Sequence, residues 1–336
     1  MRSHHNEKGC LVARIVVTGG GGFLGQRLIG ALLESDRLVI NGDHVFIESL
    51  CVIDRVIPEH FRSRGIETIE GDLLSIIRKR HELFEGVDAV IHLASAVSGE
   101  CEADLELGLE VNVNTGMALG RRLAQENNKP LLVFTSSLAV YGGTPEFPLP
   151  PVITDDIRPN PQNSYGAQKL ILETLYSDLA RRGLISIRTL RLMTVSVRPG
   201  KPNQAASSFL SGMIREPLAG IGSNIPVPMD TEVALNSPRQ AVDGLIRVMG
   251  ISDKVWGSPL GLNLPGIRIS VQGMVDALEE VGGREILDHL TYETDPVIQR
   301  IVAGWPSFFD SNRARKLKLE STERFEAVVR YFKDAM

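Results

Sequence analysis

Through the first 195 residues, runs of β-branched and aliphatic residues alternate with segments whose apolar positions recur at helical spacing. Leu11 to Thr18 is such a run and stops at glycines, and Phe23 to Leu33 carries the helical period, so this segment predicts a strand, a tight turn and a helix. Further strands are predicted over Val45 to Ile53, ending at Asp54, and over Ile66 to Ile69, ahead of Gly71-Asp72-Leu73. Val87 to Leu93 and Leu131 to Thr135 make two more, and Leu184 to Val195 reads as another buried strand. Helical segments fall between them, around Leu73 to Phe84, Ala103 to Gln125 and Ser164 to Arg182. Strands alternating with helices call for right-handed crossovers, which predicts an α/β fold with a Rossmann-type, doubly wound parallel sheet covered on both faces.

Beyond Val195 the pattern turns irregular. The stretches Arg198 to Gln204 and Gly220 to Asp230 are rich in proline, glycine and asparagine, which predicts loops over the carboxyl ends of the strands, where ligands bind in such sheets. Residues 1–198 are therefore expected to form a cofactor-binding domain, and residues 199–336 mainly a smaller substrate lobe, with later crossings of the chain returning to the first part. Neither an internal repeat nor a low-complexity tract is present.

Composition narrows the classes. At 336 residues, with 43% hydrophobic and 23% charged, the chain has enough apolar surface for a substantial core. A formal net charge of -5 offers no electrostatic reason to expect nucleic acid or an anionic membrane as partner. Cys10, Cys51 and Cys101 lie far apart, in no spacing that suggests a disulfide framework or a metal site. Apolar runs fall short of the roughly 20 residues that span a bilayer, and the opening decapeptide lacks the apolar stretch of a secretion signal, so a cytoplasmic location is expected. His4 and His5 read as a tail, and Arg78-Lys79-Arg80 as the solvated face of a short helix.

The turn after the first strand carries glycines at 19, 22 and 25, followed by the helix that opens at Phe23-Leu24. Glycine permits positive φ and close backbone approach, and a helix N-terminus presents free N–H groups to a pyrophosphate. Asp54, at the end of the next strand, is placed to accept from adenosine ribose hydroxyls and to repel a 2′-phosphate, which favours NAD over NADP. Arg55 beside it keeps NADP open, and a simple turn role for Asp54 is the alternative. The interval from Gly25 to Asp54 is long for this motif, and an extra turn at Asn41-Gly42-Asp43 accounts for the excess. Asp72, with Leu73, is a candidate for the adenine end of the cofactor or, equally, a helix N-cap. Leu93, Ala94 and Ser95 close a strand with residues that let the backbone pass beside the cofactor, while His92 reads as a packed, hydrogen-bonded side chain.

Tyr165 and Lys169, four apart on a predicted helix, share one face. A free phenol has a pKa of about 10, and a nearby cation favours the phenolate, so the pair is a candidate general base. Thr135 and Ser137 end the fifth strand with hydroxyls, and Ser137 is placed to bond both a substrate oxygen and the Tyr165 phenol, or else to cap a turn. Neither a nucleophile-elbow G-x-S-x-G, an H-E-x-x-H nor a paired-cysteine motif is present, so no metal is expected.

These strings together resemble the extended short-chain dehydrogenase/reductase family, the group that includes the nucleotide-sugar epimerases. The resemblance runs over nearly the whole chain: TGGGGFLG, Asp54, GDL, HLAS, Val111-Asn-Val-Asn-Thr-Gly116, SSLAVYG, YGAQK, and Trp305 followed by FDSNRARKLKL. It implies that Ser137, Tyr165 and Lys169 are the catalytic group, that Asn112 stands behind them as a helix-supporting or proton-relay residue, and that Thr194 approaches the nicotinamide of NAD. It further implies a homodimer through the helices near Ala103 to Gln125 and Ser164 to Arg182. Ala96 to Glu100, SSLAVYGG and Leu192 to Phe209 resemble family members that oxidise the C2 hydroxyl of a small sugar acid, D-erythronate, with NAD. A carboxylate needs cationic and amide donors, and Arg198, Lys201, Asn203, Ser207 and Ser208 are the candidates in that loop, each alternatively loop scaffolding; Ser98 is a candidate for orienting the substrate. The expected activity is therefore NAD-dependent dehydrogenation of a sugar acid. Two other readings stay open, a nucleotide-sugar epimerase or dehydratase using the same residues, and a non-catalytic NAD-binding regulator.

Overall fold

The computed structural model describes residues 4–5, 11–35, 37–63, 66–200 and 205–336. Strand β1 (Leu11–Thr18) lies in the middle of a nine-stranded sheet. Its run is almost continuously apolar because both its faces are covered: Ile15 and Val17 face one core, Val16 the other. Helix α1 (Phe23–Leu33) follows. A hairpin of β2 (Leu38–Ile40) and β3 (Asp43–Asp54) comes next, then β4 (Glu67–Glu70), α2 (Leu73–Lys79), β5 (Ala89–His92) and β6 (Leu131–Ser137). Asn41 and Gly42, at φ +50 and +93, form the two-residue hairpin turn and supply the extra length before Asp54.

Helix α3 (Ser98–Ala103) and helix α4 (Thr115–Leu123) precede β6 in the chain, and α5 (Ser164–Arg181) and β7 (Ser186–Leu192) follow it. Leu28, Ile29 and Leu32 of α1 pack on one face of the sheet. Ile76 and Ile77 of α2, Leu119 and Leu123 of α4, and Leu172 and Tyr176 of α5 cover the other. The doubly wound α/β sheet is thus present as expected.

Two expected elements divide. The helix anticipated over Ala103 to Gln125 breaks at Asp104, which is extended (φ -140, ψ 99) and whose carboxylate accepts from the Leu107 amide. A short polar side chain that bonds the nearby backbone starts a new helix instead of continuing the old one. After a π-helical turn at Leu109–Asn114 the chain enters α4. The strand anticipated to Val195 divides at Met193, whose amide donates to the Asn236 side chain at 2.8 Å. There the chain leaves the main sheet. Strand β8 (Thr194–Val195) pairs with β9 (Glu232–Asn236) in a separate three-stranded sheet, carrying the following loop over the strand ends.

Helix α6 (Ser208–Leu218) and β9 are followed by α7 (Pro238–Gly250) and β10 (Leu262–Asn263), which return to the main sheet: Leu245, Val248 and Met249 join the α1 core, and β10 runs parallel to β7. Strand β11 (Ile267–Ser270), α8 (Val271–Gly282) and α9 (Phe325–Asp334) complete the lobe. Its own core joins Leu210 and Met213 of α6 to Met274 and Leu278 of α8 and Val328 and Val329 of α9. Among the described residues no helix is long and apolar enough to cross a membrane.

Leu28 is fully buried between α1 and the sheet. Leu28→Ala is expected to cost about 2–5 kcal/mol, read as a lower urea midpoint at unchanged denaturant dependence.

Candidate active site

The glycine loop is built for close approach. Gly19 has φ +74, and a Cβ there would lie 2.4 Å from the Ala94 amide nitrogen; at Gly25 it would lie 2.4 Å from the Gly19 carbonyl. Only glycine fits. Helix α1 starts at Gly22 with no side-chain cap and no acidic residue in its first turn, which leaves its N–H groups and positive dipole end open to an anion. Asp54 stands at the loop: its Oδ2 accepts from the Gly21 amide at 2.9 Å and its Oδ1 from the Arg55 amide at 2.6 Å, with lone pairs left for ribose hydroxyls. A cradle that any Cβ would fill, an uncapped helix and a carboxylate beside them fit a dinucleotide.

The cleft above this loop, about 340 Å³, gathers most of the predicted residues. Gly19, Gly22, Phe23, Leu24 and Gly25 line it at the loop, and Leu93, Ser95 and Thr135 at the ends of β5 and β6. Ser137, Tyr165 and Lys169 line it from β6 and α5, and Ser98, Thr194, Arg198 and Ser207 from α3 and the segment after β7. Ser208 does not line this cleft but a neighbouring cavity. Lys201 and Asn203 lie outside the described residues.

Helix α5 begins where Asn163 caps it, accepting from the Gly166 amide at 2.7 Å, and this sets Tyr165 and Lys169 in its first turns. The Lys169 ammonium donates to the Thr135 carbonyl at 2.9 Å and lies 5.4 Å from the Tyr165 ring centroid. Burial lowers its pKa to about 8, with Cys101 and Glu173 opposing. Ser95 and Ser137 stand beside the Tyr165 phenol in the cleft. Burial and then Cys101 push that phenol up to about 12, while Arg198 and the two serines pull it down.

Two cations stand near the phenol: Arg198, whose charge lowers its pKa, and the Lys169 ammonium, which lies over the Tyr165 ring. Arg198 is held by its Nε donating to the Val195 carbonyl at 3.1 Å and by its backbone amide on Ser211.

Other expected residues do not line the cleft. Asp72 is exposed and caps α2, accepting from the Ser75 amide at 2.8 Å, and Leu73 is in the core. Ala94 packs against Gly19 as backbone. Asn112 is 2% exposed: its Oδ1 accepts from Ser95 Oγ at 3.0 Å and the Ala96 amide at 2.8 Å, and its Nδ2 donates to Gln168 at 2.7 Å. It thereby positions Ser95. His92 is packed as expected, 2.7 Å from Thr18 Oγ1, and burial followed by the Lys169 charge lowers its pKa to about 3, keeping it neutral. Sequence reasoning missed Trp305 and Asn163 as lining residues. The helix-capping asparagine just before Ser164-Tyr165 was a readable signal for the second.

A lysine with a depressed pKa holds its proton below the folded-state value and gives it up above it. In the cofactor-free protein, Lys169 is expected to titrate near pH 8, well below the roughly 10.4 of exposed lysines. Carbon NMR of lysine Cε-labelled protein checks this, with Lys169→Met removing the early-titrating signal.

Residues 15–233 match the NAD dependent epimerase/dehydratase family. The chain is 42% identical to a D-erythronate dehydrogenase of Cupriavidus necator, over 96% of this chain and 98% of that one. It is 36% identical to a D-erythronate dehydrogenase of Haemophilus influenzae, over 95% of this chain and 98% of that one. A crystal structure described as a nucleoside-diphosphate-sugar epimerase from Agrobacterium tumefaciens superposes with a TM-score of 0.85 at 33% identity, covering 98% of this chain and 96% of that one. Matched by the family over residues 15–233 and carrying the glycine cradle and Asp54 that fit a dinucleotide, the chain belongs to the NAD dependent epimerase/dehydratase family, and its cofactor is NAD.

Proposed function

We propose that this protein is a dehydrogenase that oxidises the C2 hydroxyl of D-erythronate to the 2-keto acid, with NAD reduced to NADH. The observation that carries this reading is the meeting, in one cleft, of the Tyr165–Ser137–Lys169 group, the glycine loop and the half-buried Arg198. The names of the two curated relatives support the substrate.

Bound NAD supplies the hydride acceptor. Ser137 and Ser95 hold the Tyr165 phenolic oxygen where it accepts the proton of the substrate hydroxyl. Arg198 favours the phenolate form and, with Ser207 beside it, is the donor set for the carboxylate; Ser98 orients the hydroxyls. Lys169, fixed on Thr135, is placed for the ribose hydroxyls. Residues 199–336 form mainly the substrate lobe. We further place the enzyme in the cytoplasm, in carbohydrate metabolism, as a homodimer. The buried, free Cys51 and Cys101 support the first, and the exposed Leu105 and Ile171, on the two helical segments expected to pair, support the last.

The second reading, a nucleotide-sugar epimerase, is favoured by the description of the Agrobacterium structure. An epimerase returns the hydride. Purified protein with NAD is expected to form NADH from D-erythronate and none from nucleotide sugars; the reverse pattern replaces the dehydrogenase.

Tyr165→Phe is expected to lower kcat by about 10² or more while the Kd for NAD, measured by calorimetry, stays nearly the same. Arg198→Met is expected to lower kcat/KM for the acid by roughly 10- to 100-fold, through a higher KM as the carboxylate loses its donor and a lower kcat as the phenolate loses its cation, in steady-state assays.

A further inference from the structure

One turn beyond Lys169 on α5, Glu173 is buried, 5% exposed, at the centre of a charged network that the proposed chemistry does not use. Its Oε1 accepts from Ser136 Oγ at 2.5 Å and from Arg191 Nε at 2.9 Å, and its Oε2 accepts from Arg191 Nη2 at 2.6 Å. Arg191 Nη1 donates on to the Tyr141 hydroxyl at 2.6 Å, which meets Asn263 of β10 at 3.1 Å. Nothing larger than glycine fits over the pair, since a Cβ at Gly261 would lie 2.8 Å from Glu173 Oε2.

The members come from α5, β6, β7, β10 and the turn after β6, and two of them sit next to the catalytic group in the chain. Ser136 precedes Ser137, and Glu173 follows Lys169 on the same helical face. Burying an ion pair is costly and the same space could be filled with apolar groups, so the pair does not explain itself as a stabiliser. What it does is fix the end of β6 against α5 at the level of the catalytic group. It also leaves a negative carboxylate facing the Lys169 ammonium.

We propose that Glu173 is a positioning residue for the catalytic group: clasped by Arg191 and Ser136, its carboxylate holds Ser137 in register with Tyr165 and keeps Lys169 in its ammonium form. The groups facing Lys169 are Glu173 and Tyr165 from its own helix, Cys101 from α3, His92 from β5 and the Thr135 carbonyl from β6. Cys101 and Glu173 are the two that favour the charged form. His92 is neutral and burial raises the Cys101 thiol above its ordinary value, which leaves Glu173 as the carboxylate of that shell. Because Tyr165 works best as phenolate beside a charged Lys169, losing the Glu173 charge shifts the proton balance of the pair toward neutral amine and neutral phenol, the unreactive arrangement.

This inference rests on the catalytic group proposed above, and its test separates the two. Glu173→Gln leaves Arg191 buried without its partner and risks misfolding, so the double variant Glu173→Gln/Arg191→Met, which removes both charges, is measured with it. In the cofactor-free proteins the Lys169 NMR midpoint is expected below the wild-type value of about 8. With D-erythronate, kcat is expected to fall about 10-fold or more while KM for NAD and for the acid change little. A lowered melting temperature with an unmoved Lys169 midpoint and a wild-type kcat in the double variant would overturn the proposal, leaving Glu173 a purely structural residue. The titration needs no substrate, so it reads Glu173 even if D-erythronate proves not to be oxidised, an outcome that would count against the substrate assignment alone.

Discussion

The bond from the Lys169 ammonium to the Thr135 carbonyl is the constraint on which the site depends. It joins α5 to the end of β6 inside the protein, 2.9 Å across, where an ammonium without partners would be strongly disfavoured. That single bond puts Tyr165, on the helix, against Ser137, on the strand, and it accounts for a lysine that stays buried yet holds a proton up to about pH 8. Gly19, pressed on the Ala94 backbone, brings the nucleotide loop to the same edge of the sheet. Two close approaches, one polar and one steric, thus define where cofactor and substrate meet.

Charge is distributed unevenly around that meeting point. On the side of the phenol stands Arg198, in a loop that exists because the chain switches sheets at Met193. On the side of the ammonium stands Glu173, held by β7 through Arg191. A phenol pushed up to about 12 is protonated at neutral pH, so the surrounding cations, including the charge that an oxidised nicotinamide brings, are needed to make it a base. The same residues suit an epimerase or a dehydrogenase on this fold, and the difference lies in whether the oxidised product leaves before hydride returns.

Much of this was legible in the chain. Leu11 to Thr18 and Phe23 to Leu33 coincide with β1 and α1, because a strand covered on both faces and an amphipathic helix each write their own periodicity. The Tyr165–Lys169 spacing, the serine at the end of β6 and the hairpin at Asn41-Gly42 were readable for the same local reason. What was not readable depends on partners distant in sequence. Asp104 breaks a helix that its neighbours favour; Met193 leaves the sheet because Asn236 takes its amide; Asn112 bonds Ser95 and Ala96, and Asp72 caps a helix through Ser75. Arg191, one of two arginines in a fully buried strand, has its partner Glu173 on a different element, which only the fold brings to it.

The most direct measurement follows the hydride itself. D-erythronate carrying deuterium at C2, incubated with the protein and NAD, is predicted to yield NADH with deuterium in the nicotinamide ring, one per 2-keto acid formed, and to react more slowly than the unlabelled acid. Consumption of the acid with no label in the nicotinamide, or no net NADH at any substrate concentration, would contradict the account.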